Sequence, residues 1–188
     1  PETAAFAVPM ISELGTDEQC ERHLSAIATG EQKFSFAIYD ERDEQLPEAI
    51  TLGVEQVEDG FRLSGTKTLV PYGGEVDHIV VAGRSQDSDG YAGISRFVVD
   101  LNDCPVETSR LDSLDRTRPM YEVEFDGLVV EEDSLLGDRH DGGDALISAM
   151  DRYAIAASAS LVGAAERAVE LSTEHGKERT QYGQPVGK

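Results

Sequence analysis

The chain has 188 residues, enough for one or two domains around a buried core, and 39% of them are hydrophobic with no Trp. Its 37 acidic residues stand against 16 basic ones, a formal net charge of −21. That sign excludes a nucleic-acid partner, and no apolar run approaches the 18 or so residues of a membrane span, so no span is expected.

Pro1 and Pro9 flank an apolar stretch with no clear period. The spacing then predicts a helix over 16–29, with Thr16 as N-cap, Gln19 at the capping-box position and Gly30 as the stop. From about Lys33 to Val130 the period changes to two, beginning with Phe34, Phe36 and Ile38. Asp59-Gly60 between alternating segments is a two-residue hairpin signal. Further strands are expected at 66–71, 77–83, 93–99, 105–112, 118–125 and 127–131. Short strands without interleaved helices predict an antiparallel barrel or sandwich rather than a parallel nucleotide-binding sheet. After Gly142-Gly143 a helical pattern runs to about His175, with Leu146, Met150, Ile155, Leu161, Ala165 and Val169 as its stripe. Its many small residues suit close helix packing in a bundle. The expected fold is α+β, with 1–30 ending one helical domain, 31–140 the β-domain and 141–188 opening a second helical domain. With no initiator Met and an uncapped end at Lys188, the chain is expected to be a central fragment.

The acids are spread singly through ordered-looking segments, which implies a solvated acidic surface and a salt-adapted source rather than a disordered tail. Cys20 and Cys104 are far apart, which fits a reducing cytoplasm. His23, His78, His140 and His175 are isolated, so no metal site is expected.

Four segments carry a resemblance in the same order as one family. They are Leu14-Gly-Thr-Asp-Glu-Gln19 with Ala28-Thr-Gly-Glu31; Gly60-Phe-Arg-Leu-Ser-Gly-Thr-Lys67; Val123-Glu-Phe-Asp-Gly-Leu-Val-Val130 with Asp133-Ser-Leu-Leu-Gly137; and Glu178-Arg-Thr-Gln-Tyr-Gly-Gln-Pro-Val186. Together they resemble the acyl-CoA dehydrogenases. The resemblance implies a helical domain, a β-barrel and a four-helix domain. It also implies FAD as cofactor, an acyl-CoA substrate, and a homo- or hetero-oligomer held through the C-terminal helices. The implied reaction takes the α-proton to a carboxylate and the β-hydrogen as hydride to the flavin. Arg179 matches the Arg that reaches the FAD of a neighbouring subunit, a role its bidentate fork suits, with Gln181 and Tyr182 alongside.

Three positions differ from the family pattern. Tyr39 stands where the family has the Thr of its Thr-Glu-Pro, and the acidic run to Pro47 replaces a Gly-Ser-Asp turn. Leu69-Val70-Pro71 replaces a Trp-Ile-Thr at the flavin edge, and Pro71 has no N–H to offer. Tyr153 stands at the position from which some members supply a catalytic Glu, so no catalytic residue is assigned. Leu114-Asp-Arg-Thr-Arg118 resembles a divergent branch in which some chains pair with a more orthodox subunit. The implied function is therefore FAD-dependent α,β-dehydrogenation of an acyl-CoA. The alternative is a flavin-poor partner subunit of a hetero-oligomer.

Overall fold

The computed structural model describes residues 1–40, 46–86, 88, 91–104, 106–140 and 142–187. The apolar stretch at the start is helical, a correction to its irregular reading. Glu2–Ala7 forms a wide π-type turn that passes into helix α1, Val8–Leu14. Pro9 lies in the first turn of α1, where a missing N–H breaks no bond. Helix α2, Asp17–Thr29, is capped as expected: Thr16 Oγ1 accepts from the Gln19 N–H, and Gln19 Oε1 accepts from the Thr16 N–H. The same Gln19 amide donates to the carbonyls of Asp133 (2.5 Å) and Leu135 (3.0 Å), fastening α2 to the end of the sheet.

Strands β1 (Phe34–Ala37), β2 (Gly53–Val57), β3 (Gly60–Pro71), β4 (His78–Ser85), β5 (Ile94–Asp100), β6 (Glu107–Arg110) and β7 (Met120–Val130) form one curled sheet. Most pairs are antiparallel, but β1 and the start of β2 lie parallel to successive parts of β4, so the sheet is mixed. The β2–β3 hairpin forms as expected, but its turn is Glu58-Asp59, one residue earlier than the expected Asp59-Gly60, and Gly60 already pairs with Val57. The two expected strands 118–125 and 127–131 are one strand, β7. Gly127, at φ 66°, forms a bulge opposite Ser64 rather than a turn.

The sheet is covered on both faces. Phe34, Phe36, Val80, Ala82 and Val98 point to a core shared with Phe6, Ile11, Leu146 and Tyr153 of the helices. Their neighbours Ala37, Ile79, Val81, Phe97 and Val99 point into the curl, against Phe61, Leu63, Val123 and Phe125. The alternation follows from successive strand side chains facing opposite ways.

Helix α3, Gly142–Glu178, is longer than expected. Leu146, Ala149 and Tyr153 pack onto the sheet, while Ile155, Leu161, Val162 and Val169 are exposed. By length and composition this helix meets the criterion for crossing a membrane, where the lack of an apolar run of about 18 residues had led to the expectation of no span; the core helix of a soluble protein passes the same test. At its end β8 (Thr180–Gln181) and β9 (Gln184–Pro185) form a small hairpin, tied back by Val186 N–H to Arg179 O and Gly187 N–H to Gly176 O.

Candidate functional site

The expected ligand-contacting residues fall into two groups that one chain does not bring together. Tyr39, Leu69 and Pro71 lie at one edge of the sheet. Arg179, Gln181 and Tyr182 lie at the far end of α3, whose 37 residues span about 55 Å, and all three are exposed.

The sheet-edge group is built by a second bulge. Lys67 pairs with Val123 and Val70 with Tyr121, leaving one extra residue on β3. Leu69 takes up that residue at φ 52°, a conformation that costs a bulky side chain about 1–3 kcal/mol. The bulge turns Leu69 outward, 50% exposed, beside the partly buried Tyr39, whose carbonyl accepts the Thr68 N–H at 2.8 Å. Burial pushes the Tyr39 hydroxyl above its ordinary pKa, against the lowering effect of Arg118. Pro71 is buried, and its carbonyl accepts from Ser35 Oγ at 2.5 Å. The Tyr72 N–H is taken by Pro119 O at 2.8 Å, and the Tyr72 hydroxyl donates to Thr117 O at 3.2 Å. Leu69, backed by the buried Pro71, thus offers an apolar shelf without side-chain donors. Glu41, Arg42, Asp43, Glu44 and Gln45, the acidic run expected near the phosphates, lie outside the described residues.

Beside the shelf stands a polar cluster that the sequence did not connect. Arg118, in the segment that leads into β7, donates from Nε to Glu2 Oε1 at 2.9 Å and from Nη2 to the Tyr153 hydroxyl, and its Nη2 forms an ion pair with Glu2 Oε1 at 2.8 Å. The Tyr153 hydroxyl also donates to Glu2 Oε1 at 3.1 Å. Burial raises the Glu2 carboxyl's pKa, but a backbone hydrogen bond and Arg118 outweigh it, so the net shift is downward. Burial and then the Glu2 charge push the Tyr153 hydroxyl up to about 12, so it stays protonated. The Tyr153 ring packs edge-on against Phe36 and Phe6, at 5.0 and 6.5 Å between centroids. Glu2 and Arg118 are 116 residues apart, a pairing no local signal announces.

A second polar crevice, on another part of the molecule, is lined by His23, His78, Asp100, Asp103 and Cys104. The two imidazoles are 5.3 Å apart. No cluster able to hold a metal exists among the described residues.

No family model matches the chain. L-prolyl-[peptidyl-carrier protein] dehydrogenase of Pseudomonas fluorescens is 30% identical over 186 residues, covering 97% of this chain and 49% of the relative. Acyl-CoA dehydrogenase of Bacillus subtilis is 25% identical over 177 residues, covering 92% and 46%. Among solved structures, glutaryl-coenzyme A dehydrogenase in its glutaryl-CoA complex superposes with a TM-score of 0.92 at 22% identity, over 100% of this chain and 48% of that one. An acyl-CoA dehydrogenase from Geobacillus kaustophilus gives 0.85 at 26% identity, over 98% and 50%. The fold is therefore that of the acyl-CoA dehydrogenases, a mixed curled sheet set between helices. Relatives and solved neighbours name that family along the whole chain, and the chain fits a segment of it, spanning about half the length of the curated relatives it matches.

Proposed function

We propose that the whole protein is an FAD-dependent acyl-CoA dehydrogenase of fatty-acid metabolism that removes the α and β hydrogens of an acyl-CoA thioester. The observation that carries this reading is the strained, half-exposed Leu69 on its bulge, an apolar shelf at the position where the family seats its flavin. A solved neighbour, glutaryl-CoA dehydrogenase from Mycobacterium smegmatis, is in complex with FADH2. When bound here, FAD would supply the hydride acceptor. Tyr39, Leu69 and Pro71 would hold its ring by contact, and the described residues supply no catalytic base.

In this reading 1–30, 31–140 and 141–188 belong to three domains, and the exposed apolar side of α3 is covered by further helices. Arg179, Gln181 and Tyr182 then serve the FAD of a neighbouring copy, which accounts for their distance from the shelf. The protein works in the cytoplasm, and its charge of −21 suits a salt-rich one. A second reading, a flavin-poor partner subunit, is favoured by Pro71, whose carbonyl is already taken and which has no N–H. Tyr153, bound by Arg118 and Glu2 where a base could stand, favours it too.

The test is the visible spectrum of the complete protein, purified in concentrated salt, before and after mixed acyl-CoAs. A flavin band that bleaches on addition supports the enzyme. No flavin band rejects it in favour of the partner subunit.

A further inference from the structure

Two donors at the edge of the shelf have no protein partner among the described residues and face solvent. Among the described residues, Arg118 Nη1 makes no hydrogen bond, because the guanidinium commits only its Nε and Nη2 side to Glu2 and Tyr153. The Tyr39 hydroxyl likewise has no partner there, although the Tyr39 ring packs against the same apolar cluster as Tyr153 and Phe36. Arg118 is 34% exposed, so its uncommitted edge is not sealed inside the protein.

The placement of Arg118 follows from the strands around it. Pro71 pairs with Met120, and Pro119 O holds the Tyr72 N–H, so the residue before Pro119 lies directly beside the end of the shelf. Glu2 and Tyr153 fix the guanidinium from behind through two hydrogen bonds and an ion pair, and its carbon stands 5.8 Å from the centre of the Tyr153 ring. A planar cation held in this way loses little freedom when it binds a ligand. A purely apolar ligand would leave both donors unsatisfied on closure, at a cost of about 1–3 kcal/mol for each.

We infer that Arg118 and Tyr39 form a subsite for an acceptor oxygen, carbonyl or carboxylate, on the group that sits against Leu69 and Pro71. This rests on the shelf being a ligand site, as in the proposed function, and not on which ligand occupies it. The oxygen has two possible sources: a ring carbonyl of the flavin, or a carboxylate at the end of the acyl group.

The experiment uses the complete protein with Arg118→Gln, Arg118→Lys and Tyr153→Phe. Each variant is checked for folding by circular dichroism and thermal melting. FAD affinity is measured by fluorescence titration, and butyryl-CoA and glutaryl-CoA binding by calorimetry. Loss of a charged hydrogen bond predicts about a tenfold or greater weakening in Arg118→Gln, with part of it restored in Arg118→Lys. A loss confined to FAD assigns the oxygen to the flavin. A loss confined to the advantage of glutaryl-CoA over butyryl-CoA assigns it to the acyl group. Unchanged affinity for all three ligands in a folded Arg118→Gln overturns the inference. Tyr153→Phe cuts a bond to Arg118 and keeps the cation, so it should weaken binding less. An equal loss in Tyr153→Phe would make Arg118 a clamp on α3 and also overturn the inference. If the wild type binds no FAD while glutaryl-CoA binding still depends on Arg118, the flavin reading fails and the subsite stands.

Discussion

Removing the Asp40 charge should destabilise the fold strongly, and the loss should depend on pH in a defined direction. Lys67 is fully buried on β3, and its Nζ donates to Asp40 Oδ2 at 2.8 Å and to Ile38 O at 3.2 Å. Asp40 Oδ2 also accepts the Thr51 N–H at 3.0 Å. Burial lowers the Lys67 pKa from 10.5 to about 8, with Asp40 opposing that shift. A base whose folded pKa lies below its unfolded one destabilises the fold while charged, so stability rises with pH between about 8 and 10.5. Below that window the cost is about 3 kcal/mol, even with Asp40 in place. Asp40→Asn keeps the acceptor for Thr51 and removes the counter-charge, and breaking a buried pair in this way costs about 3–5 kcal/mol. Urea unfolding at pH 7 should show that loss, and at pH 9.5 it should fall by at least half, because Lys67 then sheds its proton. The double variant Asp40→Asn/Lys67→Met should recover to within about 1 kcal/mol of wild type, since an apolar pair removes both desolvation costs. A single-variant loss under about 1 kcal/mol, or one that is constant with pH, would refute the reasoning.

Thr16→Ala should cost about 1 kcal/mol in urea unfolding through loss of the capping box. Gly60→Ala should cost about 1–3 kcal/mol, because φ is 137° there and an added Cβ would lie 2.1 Å from Val130 O; a melting temperature equal to wild type would contradict this. Burial lowers the pKa of both His23 and His78, so each favours the unfolded state once protonated, and stability should fall as pH drops below the ordinary 6.5. Asp77, Asp100, Asp103, Asp133 and Arg22 act on the pair, with the acids softening the effect, and a His23→Gln/His78→Gln variant should melt with a flatter pH profile between 7.5 and 5. In the complete protein Arg179→Ala should weaken FAD binding about tenfold if it serves a neighbouring copy, as fluorescence titration would read.

Local chemistry was legible in the sequence wherever it acts over a few residues. Thr16 and Gln19 announce α2, and Asp59-Gly60 announces the first hairpin to within one residue of its turn. The break expected between 118–125 and 127–131 is a bulge at Asp126-Gly127, which only the partner strand decides. Tyr182-Gly183 turns the terminal hairpin with both residues at positive φ, a turn the sequence reading did not draw from the pair. The parallel pairing of β1 with β4 joins residues more than forty positions apart and carries no local mark. Leu69 and Pro71 could be singled out from the family pattern, and so could the Tyr153 position. That Arg118 and Glu2 would converge on Tyr153 could not, because their contact is made by the fold alone.

Strand β4 sends Ile79 and Val81 into the curl of the sheet and Val80 and Ala82 towards the helices. One strand therefore serves as the common wall of two hydrophobic compartments. Neither compartment can lose its packing while the other keeps its own, so the helical cap and the sheet should melt together in a single cooperative step.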